Sequence, residues 1–471
     1  MPKSIHILPL LFLLISACST SQHIPDLGNL YNELAMHEDP NRNPVIVIPG
    51  LLGSKLVDQD TGDRVWGTFG LGQVDPNTPT GARQFALPMG KGKKLEELRD
   101  HVKPDGALDR VVVNFLGIPL ELNAYYNILQ TLGVGGYRDE ELGMAGAVDY
   151  GKDHYTCFQF AYDWRRDIVE SAKELDHFIK TRAQYVQKET EKRFGLKMHK
   201  VKFDLVAHSM GGLVARYYLR YGAADLPEDG SLPKLTWAGA EHIEHLVIIG
   251  TPNAGSMDSL EDMIHGASVD SLFPRYPAAV LSTMPSMYQL LPRGRHSPLL
   301  RADGKPVADL YDPELWKNQQ WGLADPKQDP VLKLLLPDIE SPEQRREIAL
   351  DHQAKSLRRA RQFASAMDLP AKPPASLKLL LIVGDAEETK KTAQINPEGG
   401  IKIVKTGPGD GTVLRSSALM DERMSGHLDR RLVSPIQWSQ VHFIFSDHLG
   451  LTKNAAFTDN VLYFLLESPR N

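Results

Sequence analysis

Residues 201–212 read VKFDLVAHSMGG, and this stretch decides the fold class. A strand-like run ends at Ala207, and small residues, Ala207 and Gly211, stand two positions before and two positions after Ser209. Small residues there permit a sharp strand-to-helix turn that lifts a serine hydroxyl above a sheet, because larger side chains would collide with neighbouring backbone. The helix-like stretch 213–219 follows. The pattern predicts a nucleophile elbow with Ser209 as the nucleophile.

Four other apolar runs have the continuous β-branched character of strands that are buried on both faces of a parallel sheet. Helical stretches lie between them, and the longest covers residues 168–194. Strands that alternate with helices are typical of α/β folds. We therefore predict a mostly parallel central sheet flanked by helices, with a weaker strand at 401–405. The predicted sheet strands are 44–48, 156–161, 203–207, 244–249 and 377–383.

The strands are unevenly spaced, so the predicted domain 44–471 must carry two long insertions, 54–150 and 256–375. Segments of that length inside one domain usually carry structure of their own or a function. We expect a lid or cap in the first insertion, with a helix at 120–132, and a cap in the second. A last helix is predicted at 456–466.

Within the second insertion, residues 341–344 read SPEQ, a capping box with proline at the first helical position. The helix that follows is predicted to pack as a cap helix. The residues that share its predicted packing face are Leu350, Ala354, Leu357, Arg361 and Ala364.

Residues 1–17 have the form of a secretory signal peptide, with a charged start, an apolar core and small residues at the end. Residues 15–18 read ISAC and resemble the bacterial lipoprotein box, in which the cysteine is diacylated and becomes the mature N-terminus. We expect Cys18 to be this lipid anchor. A plain signal peptide with an incidental Cys18 is the alternative.

A polar tether, 18–43, would then join the lipid to the domain, and the second cysteine, Cys157, would have no partner within the chain. Ser19 rather than aspartate follows the lipidated cysteine. In the enterobacterial sorting scheme this implies the bacterial cell envelope, at the outer membrane.

The composition excludes several classes of protein. Apolar residues make up 42% and charged residues 24% of the 471 residues, which is too apolar for a disordered chain. The formal net charge is −6 and there is no basic stripe, so a nucleic-acid partner is not expected. The longest apolar run, near the N-terminus, is too short to cross a bilayer, which argues against a polytopic membrane protein.

An acyl-transfer site needs two N–H donors for the developing oxyanion. Residues 49–54 read PGLLGS and follow the first predicted strand, with glycines that allow close backbone approach. We assign the donors to the amides of Leu51 and Met210. The alternative is that Pro49-Gly50 only turns the chain.

The general base is expected downstream, because an α/β-hydrolase orders its triad serine, acid, histidine along the chain. His448 lies in a loop just before the last predicted helix and is the preferred base. His442 stands inside the apolar run 441–445 and is predicted to be packed. His427, in a polar loop, remains open as an alternative.

Two carboxylates compete for the acid that orients the imidazole. Asp385 follows the predicted strand 377–383, and Asp410 stands between glycines in the stretch 407–413, GPGDGTV. Either strand end can deliver the acid, and a Gly-Asp-Gly turn can also be purely structural. Spacing alone leaves the two equal.

A histidine pair, His242 and His245, has a spacing compatible with metal binding. It has no nearby cysteine or clear third ligand, so no metal is expected, and no cofactor is predicted. In the stretch 162–165, YDWR, we predict a buried structural ion pair, with a contact to substrate as the alternative.

Taken together, seven motifs in order along the chain resemble the lecithin:cholesterol acyltransferase family, which includes lysosomal phospholipase and phospholipid-dependent diacylglycerol acyltransferases. Individually they are short, but the combination is specific and covers 44 to about 451. The motifs are PVIVIPGLLGSKL at 44–56, YDWR at 162–165, AHSMGG at 207–212, GTPNAGS at 250–256, PSMYQLLP at 285–292, GDGTV at 409–413 and His448.

The resemblance implies an α/β-hydrolase core with cap and lid and Ser209 as nucleophile. It maps the family's acid onto Asp410 rather than Asp385, its histidine onto His448 and its oxyanion donor after Pro-Gly onto Leu51. The vertebrate lid is pinned by a disulfide, and no cysteine lies between residues 50 and 156 here. We expect the covering loop to be held around Trp66 instead.

The function expected from the resemblance is that of a serine acyl hydrolase or O-acyltransferase, acting on phospholipid or related glycerolipid esters through an acyl-enzyme. The expected partners are the lipid ester and an acyl acceptor, water or an alcohol. Two alternatives stay open, a carboxylesterase for soluble short-chain esters and a non-catalytic lipoprotein on a hydrolase scaffold.

Overall fold

The computed structural model describes residues 31–468 except 32, 34, 37–38, 69–72, 109–110, 116–117, 123–124, 144–153, 198–199, 269–273 and 426–430. The predicted signal peptide, the anchor Cys18, residues 18–30 of the tether and the alternative base His427 lie outside the described residues. Within the described part, no helix is long and apolar enough to cross a membrane.

The strands of the described residues are numbered along the chain as β1 Val45–Ile48, β2 Ser54–Asp58, β3 Arg64–Trp66, β4 Val102–Ala107, β5 Val111–Phe115, β6 Ile118–Leu122, β7 Cys157–Gln159, β8 Phe203–His208, β9 Ile243–Ile249, β10 Leu299–Leu300, β11 Lys378–Gly384, β12 Glu387–Ile395, β13 Ile401–Gly409 and β14 Gln440–Ile444.

Six of these strands form a central sheet in the order β14-β11-β9-β8-β1-β7, and every neighbouring pair is parallel. The α/β class and the parallel sheet are therefore confirmed. Each predicted sheet strand is present to within a few residues, and β14 adds an edge strand. Because the strands are parallel, their carboxyl ends meet along one edge, where ligands of open α/β sheets usually bind.

The helices of the described residues are numbered as α1 Pro79–Phe85, α2 Tyr126–Val134, α3 Ile168–Phe194, α4 Gly211–Tyr221, α5 Met257–His265, α6 Ala278–Leu281, α7 Pro285–Gln289, α8 Pro313–Gln319, α9 Asp329–Leu335, α10 Pro342–Asp368, α11 Arg415–Leu419 and α12 Ala455–Leu462.

The core of the domain lies between the sheet and its helices. Strands β1 and β8 are buried along their whole lengths, and all 11 residues of α4 are buried as well. Helix α3 begins after Asp167, whose side chain accepts a hydrogen bond from the Val169 amide, and ends at Gly195 with φ +71°. A polar N-cap residue and a glycine in the left-handed conformation after the last turn are the termini that helices prefer.

Strands outside the central sheet form three small sheets, β3-β2-β4, β5-β6 and β10-β12-β13. The weaker strand predicted at 401–405 is part of β13, which pairs with β12 rather than with the central sheet. The helix predicted at 120–132 is wrong in its first half, since 118–122 is the strand β6 and the helix begins at Tyr126. Ile118, Leu120 and Leu122 alternate with other residues, a period of two that is typical of a strand.

Helix α10, which the sequence predicts as part of a cap, has the predicted N-cap, because the Ser341 hydroxyl accepts a hydrogen bond from the Gln344 amide, 3.2 Å away. Its predicted packing face is wrong in part, since Leu350 and Ala354 are only partly buried and Arg361 is exposed. The observed face includes polar side chains, which an apolar pattern misses. The buried residues of this helix are Arg345, Ala349, His352, Gln353, Ser356, Leu357, Ala360, Phe363, Ala364, Ala366 and Met367.

Candidate active site

The turn from β8 into α4 places Ser209 at the carboxyl edge of the central sheet. Ser209 has φ +53°, in the left-handed region that residues other than glycine rarely adopt. Its amide donates to the carbonyl of Ile249 at 2.8 Å, which ties the turn to the end of β9. A Cβ at Gly211 would stand 2.4 Å from the Pro49 carbonyl oxygen, so the turn requires a glycine there. The local geometry is that of the predicted elbow.

His448 and Asp410 are in direct contact at the same edge. The imidazole Nδ1 lies 2.8 Å from Asp410 Oδ2, and the His448 amide donates to the Asp410 carbonyl at 2.9 Å. Asp410 is 2% exposed, and its other carboxylate oxygen accepts from the amides of Thr412 and Val413 at 3.0 and 2.6 Å. The carboxylate is thus fixed in place and holds the proton on Nδ1, which leaves Nε2 able to accept one.

The imidazole packs beside the elbow at the end of β9. A Cβ at Gly250 would lie 3.1 Å from both Nδ1 and Cε1 of His448. Gly250 follows Ile249, which holds the Ser209 amide, and a Cβ at Gly384 would lie 2.5 Å from the Cβ of Asp410. The ends of β9 and β11 therefore bring Ser209, His448 and Asp410 to one place, and their catalytic roles remain predictions.

The loop after β1, residues 49–53, approaches the serine from the opposite side. A Cβ at Gly50 would lie 2.6 Å from the Cβ and 3.2 Å from the Oγ of Ser209. Within the described part of the chain, neither the Leu51 amide nor the Met210 amide donates a hydrogen bond. Both proposed oxyanion donors are therefore available to a ligand at the serine.

Aromatic side chains hold this oxyanion loop (residues 49–53). The Tyr162 hydroxyl donates to the Pro49 carbonyl at 2.9 Å, and the Trp66 indole donates to the Leu52 carbonyl at 2.7 Å. Trp66 is 4% exposed and meets Trp164 edge to face, with ring centroids 5.9 Å apart. Trp66 thus holds the oxyanion loop, and its role in holding a covering loop stays a prediction.

The alternative acid and base lie elsewhere. Asp385 is only partly buried, and its nearest charged neighbour is the Arg415 guanidinium, with Nε 3.9 Å from Oδ2. His442 lies in the edge strand β14, where its Nε2 is 3.3 Å from Gln440 Oε1. Neither residue touches His448 or Asp410 through a hydrogen bond among the described residues.

The two histidines considered as metal ligands, His242 and His245, lie in different environments. His245 is buried, and its Nδ1 lies 2.8 Å from Asp204 Oδ1. His242 is only partly buried. No three histidine, cysteine, aspartate or glutamate side chains of the described chain are grouped so that they could hold a metal ion.

Two residues beside the site were missed by sequence reasoning, Tyr125 and His208. Tyr125 is 4% exposed and its hydroxyl accepts from the Gly50 amide at 2.8 Å. His208 is 2% exposed and lies between that hydroxyl and His448. Burial lowers the pKa of His208 to about 3, helped by the neighbouring His448. The only signal for His208 in the sequence is its position before the nucleophile, and Tyr125 has none.

The ion pair predicted in the YDWR stretch is buried, since Arg165 is fully buried and its guanidinium meets the Asp163 carboxylate at 2.7 Å. The same group reaches Asp100 at 2.9 Å and the carbonyls of Gln84 and Phe85. These contacts tie the first insertion to the end of β7, away from the reacting serine.

Large apolar side chains are exposed on the segment that carries His448. Phe445 is 83% exposed, Leu449 50% and Phe443 43%. The Arg415 guanidinium lies over the Phe443 ring, 4.5 Å from its centroid. The segment that carries His448 therefore exposes apolar side chains, and a cation lies against one of them.

Comparison with known proteins gives a consistent result. A sequence model described as lecithin:cholesterol acyltransferase matches residues 127–321, which include Ser209 but not Asp410 or His448. The Arabidopsis thaliana protein lecithin-cholesterol acyltransferase-like 4 is 28% identical over 188 residues, 38% of this chain. That match spans only 31% of the plant protein.

Among solved structures, a chain of the crystal structure of the Tle4–Tli4 complex is similar with a TM-score of 0.52 and 18% sequence identity. The likeness covers 90% of this chain and 98% of that one. At this identity the likeness concerns the fold alone, and it agrees with the parallel central sheet described above. The α/β-hydrolase fold expected from the sequence is confirmed.

Proposed function

We propose that the chain, whose residues 127–321 match the lecithin:cholesterol acyltransferase model, is a serine acyl hydrolase or O-acyltransferase acting on phospholipid or related glycerolipid esters. One observation carries the proposal: the 2.8 Å contact between His448 and the buried Asp410, packed at the strand end that holds the Ser209 amide. A serine, an imidazole and a carboxylate in this arrangement have the parts that acyl transfer requires.

In the proposed mechanism, Nε2 of His448 takes the hydroxyl proton as Ser209 Oγ attacks the ester carbonyl. The amides of Leu51 and Met210 donate to the tetrahedral oxyanion, and loss of one such donor typically costs about 3 kcal/mol of transition-state stabilisation. His448 then returns the proton to the leaving alcohol, and Asp410 stabilises the imidazolium meanwhile. Water or an alcohol, deprotonated by His448, resolves the acyl-enzyme.

The exposed side chains of Phe445 and Leu449 favour a lipid ester over a soluble one. Contiguous apolar groups that are exposed to water often mark an interaction surface. Here the two side chains stand three positions before and one position after the proposed base, 83% and 50% exposed. An acyl chain or a lipid surface that covered them would contact the segment that carries His448.

We also propose that Cys18 is lipidated and holds the chain at the bacterial cell envelope, at the outer membrane. Tyr31, 13 positions after Cys18, donates through its hydroxyl to Asp459 Oδ1 in α12 at 3.1 Å. An extended linker of that length spans at most roughly 45 Å. Since α12 follows the segment that carries His448, an anchor on this linker can keep the proposed site close to a membrane.

The test uses residues 19–471 and the Ser209→Ala variant, incubated with phospholipid vesicles that contain a long-chain alcohol or a lysolipid, with products read by mass spectrometry. Ser209-dependent acylation of the alcohol or lysolipid would identify an acyltransferase, and Ser209-dependent fatty acid alone a phospholipase. Product formation that is equal in the two proteins would contradict the proposal, as would hydrolysis of soluble short-chain esters only.

A further inference from the structure

We propose that Tyr125 and His208 are positioning residues that connect the oxyanion loop to the base through a chain of hydrogen bonds. The chain runs from the Gly50 amide to the Tyr125 hydroxyl at 2.8 Å, and from that hydroxyl to His208 Nδ1 at 3.3 Å. It continues from His208 Nε2 to the backbone carbonyl of His448 at 3.3 Å. The inference rests on the proposed function, since it assigns two more residues to the same site.

The protons along this chain can be assigned by counting donors. The Gly50 amide can only donate, so the Tyr125 oxygen accepts from it and keeps one proton that it can donate to Nδ1 of His208. The carbonyl of His448 can only accept, which requires a proton on Nε2. Of the two neutral tautomers, only the one with its proton on Nε2 therefore satisfies all three contacts. A doubly protonated ring would donate from both nitrogens, and burial disfavours that charged form.

The surroundings of His208 favour that neutral form. The ring is 2% exposed and meets Tyr125 edge to face, with centroids 5.5 Å apart. Its centroid is 4.8 Å from that of His448, and the Asp410 carboxylate lies beyond His448. A second positive charge so close to His448 would oppose the imidazolium that forms during acyl transfer, so a neutral His208 preserves the basicity of its neighbour.

The hydrogen-bond chain fixes the backbone on both sides of the serine. The Pro49–Gly50 peptide is held on both sides, its carbonyl by Tyr162 and its amide by Tyr125. The carbonyl of the next peptide, Gly50–Leu51, accepts from the Gly53 amide at 3.0 Å, so the Leu51 amide is presented from a fixed turn. The same chain ends on the backbone of His448. Removing a link would misplace the oxyanion donor and the base relative to Ser209, which lowers turnover more than it lowers substrate binding.

The experiment measures kcat and KM for a p-nitrophenyl ester with Tyr125→Phe, His208→Met and His208→Gln. We expect the first two variants to lower kcat about tenfold with KM unchanged. Glutamine can accept from Tyr125 through Oε1 and donate through Nε2, so His208→Gln should regain most of the wild-type kcat. The double variant Tyr125→Phe/His208→Met should lose no more than the worse single variant, because both break one chain.

Tyr185→Phe is the matched control. The Tyr185 hydroxyl also accepts from a backbone amide, that of Tyr155 at 2.9 Å, but it lies on α3 away from the serine. This variant should keep the wild-type kcat. Wild-type kcat in Tyr125→Phe, equal loss in His208→Gln and His208→Met, or multiplied losses in the double variant would each overturn the assignment.

A second readout does not depend on activity. Long-range ¹H–¹⁵N spectra of histidine-labelled protein at pH 7 should show His208 neutral with its proton on Nε2, and the Nδ1 resonance should shift in Tyr125→Phe. A ring that carries its proton on Nδ1 would contradict the chain. If wild type shows no Ser209-dependent turnover, the proposed function fails, and the spectra still decide whether the hydrogen-bond chain exists.

Discussion

The candidate site contains two histidines, His208 and His448, whose ring centroids are 4.8 Å apart and whose surroundings differ. His208 ends β8, is 2% exposed and, within the described chain, has two uncharged hydrogen-bond partners, the Tyr125 hydroxyl and a backbone carbonyl. His448 lies in the loop after β14, has a side chain that is 15% exposed and contacts the carboxylate of Asp410. The same side chain therefore occurs once in a buried, neutral setting and once beside a negative charge and solvent.

The difference teaches what makes an imidazole a base. Burial without a charged partner penalises the imidazolium, so the pKa of His208 falls to about 3 and the ring stays neutral. A carboxylate hydrogen-bonded to Nδ1 stabilises the imidazolium and fixes the tautomer. Of these two histidines, only His448 has that partner, at 2.8 Å. Proximity to the serine is therefore not sufficient to identify the base.

The largest effect is expected from Asp410→Asn, which removes the charge that distinguishes the two histidines. An amide in place of this carboxylate favours the wrong imidazole tautomer, and we expect kcat to fall about 10⁴-fold. Steady-state kinetics on a p-nitrophenyl ester provide the measurement. Asp385→Asn is the matched control, since Asp385 is only partly buried with Arg415 beside it, and it should stay within about twofold of wild type. A reversed pattern would show that β11 rather than β13 delivers the acid.

A smaller effect is expected from Gly50→Ala on the oxyanion-loop side of the serine. The added Cβ would lie 2.6 Å from the Cβ of Ser209, so the loop or the serine must move. Displacements of about 1 Å in such sites cost about 10²-fold in rate. Gly294→Ala serves as control, because a Cβ there would meet nothing within 4 Å. Equal activity of the two variants in the ester assay would mean that the loop does not touch the reacting serine.

Phe445→Ser tests the exposed side of the base region. Transfer of one large apolar side chain from water to lipid contributes roughly 1.5–3 kcal/mol, so we expect about a tenfold loss of turnover on phospholipid vesicles and no change on a soluble ester. Leu196→Ser, at a side chain 42% exposed just after α3, should alter neither rate. A parallel loss on both substrates in Phe445→Ser would indicate damage to the base rather than lost contact with lipid.

The smallest expected effect is the change in stability with pH that a buried neutral histidine causes. His352 in α10 allows this effect to be measured apart from the candidate site. Burial lowers the pKa of His352 to about 4, against about 6.5 in the unfolded chain, so the unfolded state binds more protons between these values. Stability contributed by the neutral ring is therefore present above pH 6.5 and lost as the pH falls towards 4.

Between pH 6 and pH 5 this histidine should reduce the free energy of unfolding by about 1 kcal/mol. Urea titrations of wild type and His352→Gln at both pH values give the measurement, and the variant should lose less stability on acidification. Identical pH dependence in the two proteins would argue against a neutral, buried His352.

Much of the fold could be predicted because its elements bury continuous apolar runs. Strands β1, β8, β9 and β11 each contain such a run, and the small residues of the elbow stand at the end of β8. This pattern identifies the strands without any long-range information. Helix α10 shows the limit of this reasoning. Its buried face includes His352, Gln353 and Ser356, so an apolar pattern places the face incorrectly.

The candidate site was predictable where local sequence determines geometry. Ser209 could be predicted from the strand, the small residues and the helix that surround it in the sequence. Asp385 and Asp410 both stand after strand ends and look equivalent in the sequence, whereas the fold places Asp410 against His448. Tyr125 reaches the oxyanion loop from 75 positions away, and no pattern within one segment reports such a contact. Long-range hydrogen bonds are therefore the part of the site that required the structure.

The most direct test of the account is covalent labelling of the serine. Wild type, Ser209→Ala and Asp410→Asn would be treated with a fluorophosphonate, and the adduct mapped by mass spectrometry of the intact protein and its peptides. We expect one adduct on Ser209 in wild type, slower labelling in Asp410→Asn and none in Ser209→Ala. Wild type without an adduct, or an adduct that persists in Ser209→Ala, would contradict the assignment of Ser209 as the activated nucleophile.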